Sequence, residues 1–177
     1  MTVLIIAILA ATIGISFFTD ITTRRILNIV TFPAIVTGLA IHSVTAGLEG
    51  FIFSGLGFLI GFGLLLIPYI MGGMGAGDVK LMAAVGALMG PGFVISTFLF
   101  AAIAGGVMGL YFIAKQRGAL ENFHTMLYAM PLIRNTAGSL SEIRSGARHA
   151  SLPYGVAIAV GTVVTFAGSL AGGVLPV

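Results

Sequence analysis

The chain has 177 residues, of which 58% are hydrophobic and only 7% charged. So little charge cannot clothe a water-exposed surface, where about 25% is ordinary, so a soluble domain is excluded. The excess of eight Lys and Arg over five Asp and Glu then reads as membrane topology rather than nucleic-acid binding, and the lack of cysteine removes disulfides, thiolate metal sites and cysteine nucleophiles.

The long uncharged intervals are the expected spans, because a bilayer core of about 30 Å takes about 20 helical residues. Residues 1–19 supply the first, read as a retained span since no basic region precedes it as in a cleaved signal. Residues 26–48 supply a second, and 50–77 a third that ends near Met71, where a glycine-rich stretch begins. Transmembrane β-strands would be shorter and would alternate. Residues 81–114 exceed one span, and Gly90-Pro91-Gly92 inside them predicts a turn, since proline lacks the amide that continues a helix. A hairpin there puts Arg24, Arg25, Lys80 and the basic residues from Lys115 to Arg148 on one side, as the positive-inside bias requires.

Residues 150–177 supply the last span. The expectation is an all-α, polytopic integral membrane protein of six transmembrane helices with both termini outside. The fourth helix, about Asp78–Met89, is short for an undistorted bilayer. The whole chain, 1–177, forms one membrane-embedded domain with a cytoplasmic loop at about 115–150. In that loop Leu120, Phe123, Met126, Leu127 and Met130 fall at helical spacing, which fits a helix lying on the membrane or one packed on the bundle. The pairs Gly57-x-x-x-Gly61 and Gly105-x-x-x-Gly109 let helix backbones approach closely, and packing inside one bundle is the plainer reading than a dimer interface.

Asp20 and Asp78 are the two aspartates of the chain, and this topology puts both at cytoplasmic helix ends. Two carboxylates brought together share a proton, so that one activates water while the other polarises a carbonyl. Taken singly, either aspartate is explained as a helix N-cap, and Asp20 also as an interfacial charge. Around Asp78, the run Gly72 to Lys80 has the composition of a phosphate loop but lacks the strand before it and the Gly-Lys-Ser/Thr ending. Irregular backbone lining a wet cavity, able to pair with a peptide, is the better physical account.

Gly75-Ala76-Gly77-Asp78, within Gly-Met-Gly-Ala-Gly-Asp-Val-Lys, resembles the GxGD signature of type IV prepilin peptidases. Asp20-Ile-Thr-Thr-Arg-Arg-Ile-Leu-Asn28 resembles that family's first catalytic motif, and Leu152-Pro153-Tyr154-Gly155 extends the likeness to the last span. The resemblance implies an aspartic membrane endopeptidase, with Asp20 and Asp78 as the catalytic pair, that removes the short basic leader from prepilins or pilin-like precursors after Gly. It implies a multi-pass protein of the inner membrane with its active site facing the cytoplasm, and no cofactor. Leu27 stands where the family commonly has proline. The cysteine-containing insertion of the bifunctional members is absent, so the chain is similar to the short, peptidase-only forms that process tight-adherence pilins and archaeal preflagellins, and no methyltransferase activity is implied.

Gly75, Gly77, Asn28, Pro153, Tyr154 and Gly155 are expected to shape the site or bind substrate, although Asn28 reads as simply as a helix cap and Pro153 as a helix start. Arg24, Arg25 and Lys80 are expected to anchor the cytoplasmic face to membrane lipid. His42 has no second ligand at metal spacing, and no metal site is expected. Glu121 and Glu142 read as solvated charges. Two other classes compete with a peptidase: a proton-coupled transporter, which also uses intramembrane acids, and a noncatalytic membrane assembly subunit. The expected partners are the pilin-like precursor and membrane lipid, not nucleic acid.

Overall fold

The computed structural model describes residues 1–71, 73–115 and 154–172. The loop at about 115–150, its surface helix and Pro153 lie outside the described residues. The described chain is helical without strands: α1, Thr2–Thr23; α2, Asn28–Ile70; α3, Ala76–Lys115; and α4, Tyr154–Ala171. It forms two compact units, residues 1–105 with 153–177, and residues 106–152. The end of α3 is the described part of the second unit. Among the described residues four helices are long and apolar enough to cross a membrane, where six spans were expected. The difference arises at two glycines, Gly47 in α2 and Gly90 in α3, where the dihedrals leave the helical region inside otherwise continuous runs.

The run α2 turns back on itself at Gly47, which has φ 60° and ψ −134°. The His42 and Phe53 rings lie 5.2 Å apart, whereas eleven residues of straight helix span about 16 Å. Register against the start of α3 shows the same reversal. Asn28 meets Lys80 and His42 meets Leu88, so the first half of α2 runs parallel to α3. Ser54 meets Ala87 and Gly61 meets Met82, so its second half runs antiparallel.

The segment gripped between those two halves, residues 78–90, is buried except at Lys80. Leu81, Met82, Val85 and Leu88 are fully enclosed. A helix apolar all round belongs in an interior, yet lipid tails are as apolar as leucine, so close packing rather than water exclusion must hold it. Glycines supply that closeness. A Cβ on Gly38 would lie 2.7 Å from the Ala87 carbonyl oxygen, and one on Gly61 would lie 2.5 Å from that of Met82. Gly57 and Gly86 each press on the other's carbonyl. The Gly57-x-x-x-Gly61 pair is thus used within the bundle, while α1 packs on α2 and α4.

At the far end of this segment Gly90 takes φ 81° and ψ 179°, and Pro91 follows. Proline offers no N–H to the carbonyl four residues back, and the break at Gly90 withdraws the next partner too. Two side chains of α2 replace them: the Ser54 hydroxyl donates to the Ala87 carbonyl at 2.6 Å, and His42 Nε2 lies 3.0 Å from that of Leu88. A carbonyl can only accept, so Nε2 carries the proton. His42 is therefore committed to closing a helix end.

Gly57→Val should lower stability in detergent by about 1–3 kcal/mol, the usual cost of overpacking. Gly63→Ala, at a position with nothing within 4 Å of the added carbon, should leave it unchanged or slightly raised. Thermal unfolding of the two variants checks this, and equal shifts would refute the grip described above.

Candidate functional site

Asp20 lies in the last turn of α1, buried at 5% exposure. That turn is closed by Arg24, whose left-handed backbone (φ 52°, ψ 36°) lets its N–H donate to the Asp20 carbonyl at 3.0 Å. A carboxylate among the free carbonyls of a helix C-terminus is electrostatically misplaced. Its Oδ2 is also buried without a hydrogen-bond partner among the described residues. Its place in the last turn of α1 overturns the N-cap reading of this aspartate. The compensation comes from α4, whose first amides, at Gly155 and Val156, interact favourably with the carboxylate, as does the Arg24 guanidinium.

Asp78 is buried to 7% exposure in the first turn of α3, two residues after Ala76 begins it. It is not the cap itself. Gly75 precedes the helix, and Asp78 Oδ2 reaches back to accept its N–H at 3.1 Å. This is the acidic half of a capping box. The bond uses one carboxylate oxygen, and the acid sits at the end of the helix where negative charge is favoured.

The two carboxylates come from separate helices and lie close enough to interact electrostatically. Ile26, in the loop between α1 and α2, packs against a glycine beside each of them. A Cβ on Gly77 would lie 2.9 Å from Ile26 Cβ, and one on Gly155 would lie 3.1 Å from Ile26 Cδ1 and 2.8 Å from Asp20 Oδ2. Both glycines are therefore there for close approach. Residues 73–75, ahead of Asp78, are irregular backbone as expected, and positive φ among the described glycines occurs only at Gly47 and Gly90. Tyr154 starts α4, lays its ring against Gly105 and lies within electrostatic reach of Asp78.

Asn28 is the first residue of α2 rather than its cap, and its Oδ1 accepts a hydrogen bond from Lys80 Nζ at 2.9 Å. Lys80 thus turns to a protein partner, while Arg24 and Arg25 are exposed. Gly75, Gly77, Tyr154 and Gly155 fall around the two aspartates, and Asn28 meets Lys80 two residues beyond Asp78; Pro153 lies outside the described residues. Sequence reasoning missed Ile26, whose residue type carries no signal beyond its place between Asp20 and Asn28. It also missed the buried hydroxyls of Ser16, one turn before Asp20, and Thr31, which have no hydrogen-bond partner among the described residues. No group of three or more His, Asp or Glu is placed to hold a metal among those residues.

The sequence over residues 4–110 matches the model of the type IV leader peptidase family. No curated protein and no solved structure matches the chain.

The position where proline is common in the resembling motif, Leu27, has φ −80° and ψ 128°. Proline's ring fixes φ near −65°, so this backbone already suits it, and the residue caps α2 with its N–H donating no backbone hydrogen bond among the described residues. Leu27→Pro should keep or raise the unfolding temperature, gaining up to about 1 kcal/mol through the unfolded chain. A fall of several degrees on thermal denaturation would show that the loop needs leucine itself.

Proposed function

The chain belongs to the type IV leader peptidase family, and we propose that it is an aspartic endopeptidase that removes the basic leader of a pilin-like precursor. The observation that carries this reading is the pairing of two buried aspartates on separate helix ends, one with a carboxylate oxygen left without a partner. A helix-stabilising role accounts for one oxygen of Asp78 and for neither of Asp20.

In this mechanism one carboxylate takes a proton from water as the water oxygen adds to the scissile carbonyl carbon. The other, protonated, donates to the carbonyl oxygen. The tetrahedral intermediate then collapses as its C–N bond breaks and the leaving nitrogen takes up a proton. The cut follows Gly, where an extended backbone exposes the carbonyl at least cost, at the junction between leader and apolar helix. A buried mid-membrane amide would not meet water.

The site end of the molecule would face the cytoplasm of a cell whose inner membrane holds the protein. Arg24, Arg25 and Lys80 cluster there, and Glu49, beside the Gly47 turn, is at the other end. That asymmetry follows the positive-inside bias. With the reversal at Gly47 and a second one at the Gly90 break, the chain would cross six times and place both termini outside. Arg24 and Arg25, being exposed, are available to lipid phosphates.

Cysteines added to this cysteine-free chain test the orientation. Thr23→Cys should react with an impermeant thiol reagent from the cytoplasmic side, and Ala46→Cys and Gly92→Cys from the outside. Labelling of positions 23 and 92 from the same side would eliminate the six-crossing arrangement.

Asp20→Asn and Asp78→Asn should each abolish cleavage of a leader-bearing precursor while the protein still inserts and folds, since an amide keeps size but cannot exchange the proton. The wild-type products, weighed by mass spectrometry, should begin immediately after the leader Gly. Near wild-type turnover by either variant would remove the aspartate pair from the mechanism; proton flux without cleavage by wild type would favour a transporter.

A further inference from the structure

Lys80 lies two residues beyond Asp78 on α3, half-buried along its stem, with its ammonium bonded at the exposed edge of the bundle. It has two partners, both on the first turns of α2. Its Nζ donates to Asn28 Oδ1 at 2.9 Å and lies 5.5 Å from the centroid of the Phe32 ring. Asn28 and Phe32 are four residues apart, so they stand one above the other on one helix face. The pair forms a seat, one side polar and one aromatic, that a cation on a flexible stem can fill.

This contact matters because of what lies on either side of it. Asn28 directly follows the connection from Asp20's helix, residues 24–27, and Ile26 within that connection packs against Gly77 and Gly155. Lys80 is fixed to Asp78 by little more than half a helical turn. A bond between Lys80 and Asn28 therefore ties the connection that carries Ile26 to the helix that carries Asp78. Ile26 has no polar side-chain group with which to hold that position, and the connection is otherwise exposed at Arg24, Arg25 and Leu27.

We infer that Lys80, seated on Asn28 and Phe32, is a positioning residue that latches the α1–α2 connection onto the start of α3 and so sets the separation of Asp20 and Asp78. The inference rests on the aspartic peptidase reading above. Its role differs from lipid anchoring, in which the ammonium would point outward and Asn28 would be dispensable. It differs from substrate binding, in which loss of the cation would weaken affinity rather than turnover.

The test compares Lys80→Met, Asn28→Leu and the double variant in purified protein, with Lys80→Arg as the conservative control. Each single change should lower kcat about tenfold with KM held within about twofold, since a displacement of about 1 Å at reacting groups can cost about 100-fold. The double variant should be no worse than either single one, because residues in one interaction are not additive. Lys80→Arg should restore most of the turnover. A spin-label distance between Arg25→Cys and Gly73→Cys, measured in the same backgrounds, should broaden with Lys80→Met and Asn28→Leu and narrow again with Lys80→Arg.

Unchanged kcat and an unchanged distance distribution in both single variants would overturn the latch. Effects that multiply in the double variant, or a rise in KM at constant kcat, would overturn it as well. Absence of cleavage by the wild type would instead count against the peptidase reading, and the distance measurement would then decide the latch by itself. If Lys80→Met proves unstable, the distance distribution in Asn28→Leu decides between the same two outcomes.

Discussion

Everything in the described structure hangs on the contact between two glycine backbones, Gly57 of α2 and Gly86 of α3, each with no room for a Cβ against the other's carbonyl. In lipid no water is released when apolar helices meet, so association depends on how closely they approach. Gly38 and Gly61 extend the same closeness along both faces of residues 78–90. That segment is thereby enclosed along a length too short to cross a bilayer by itself. It carries Asp78 at one end and the Gly90 break at the other.

Shortness has a cost that the fold meets locally. A helix ending inside protein leaves carbonyls without donors, and in a membrane each such group is expensive. Ser54 and His42 supply the donors at the far end, on the two halves of α2 that meet at Gly47. At the near end Asp78 closes its own helix through the Gly75 amide. One end is fully committed to structure. The other keeps carboxylate oxygens in reserve.

The near end is accordingly where the molecule tolerates electrostatic discomfort. Asp20 faces the carbonyl end of its helix with an unpaired buried oxygen, and Ser16 and Thr31 add buried hydroxyls without partners among the described residues. Buried polar groups left in this condition are rare and call for an explanation. The proton exchange proposed for the aspartate pair would supply one for Asp20. In the α1–α2 connection Ile26 lies against two glycines, so the close glycine packing that builds the bundle recurs beside the two aspartates.

The sequence alone determined the membrane class and the helical architecture, because composition and span length are properties of the chain and not of its packing. It also singled out two carboxylates as candidates, since Asp20 and Asp78 stand in recognisable motifs, and a helix break at Gly90-Pro91, where proline lacks the amide to continue. Tertiary structure decided how those pieces are used. By residue type and position Asp78 reads as a cap, yet it is the third residue of its helix, reaching back to Gly75. His42 reads as an isolated polar residue, yet it closes a helix end forty-six positions away. Lys80 reads as a lipid anchor, and the fold also sets its ammonium beside Asn28 and Phe32. In each case the deciding partner is on another helix or across a turn, and residue type and spacing fix only what a group is able to bond, while the close approach of backbones fixes what it meets.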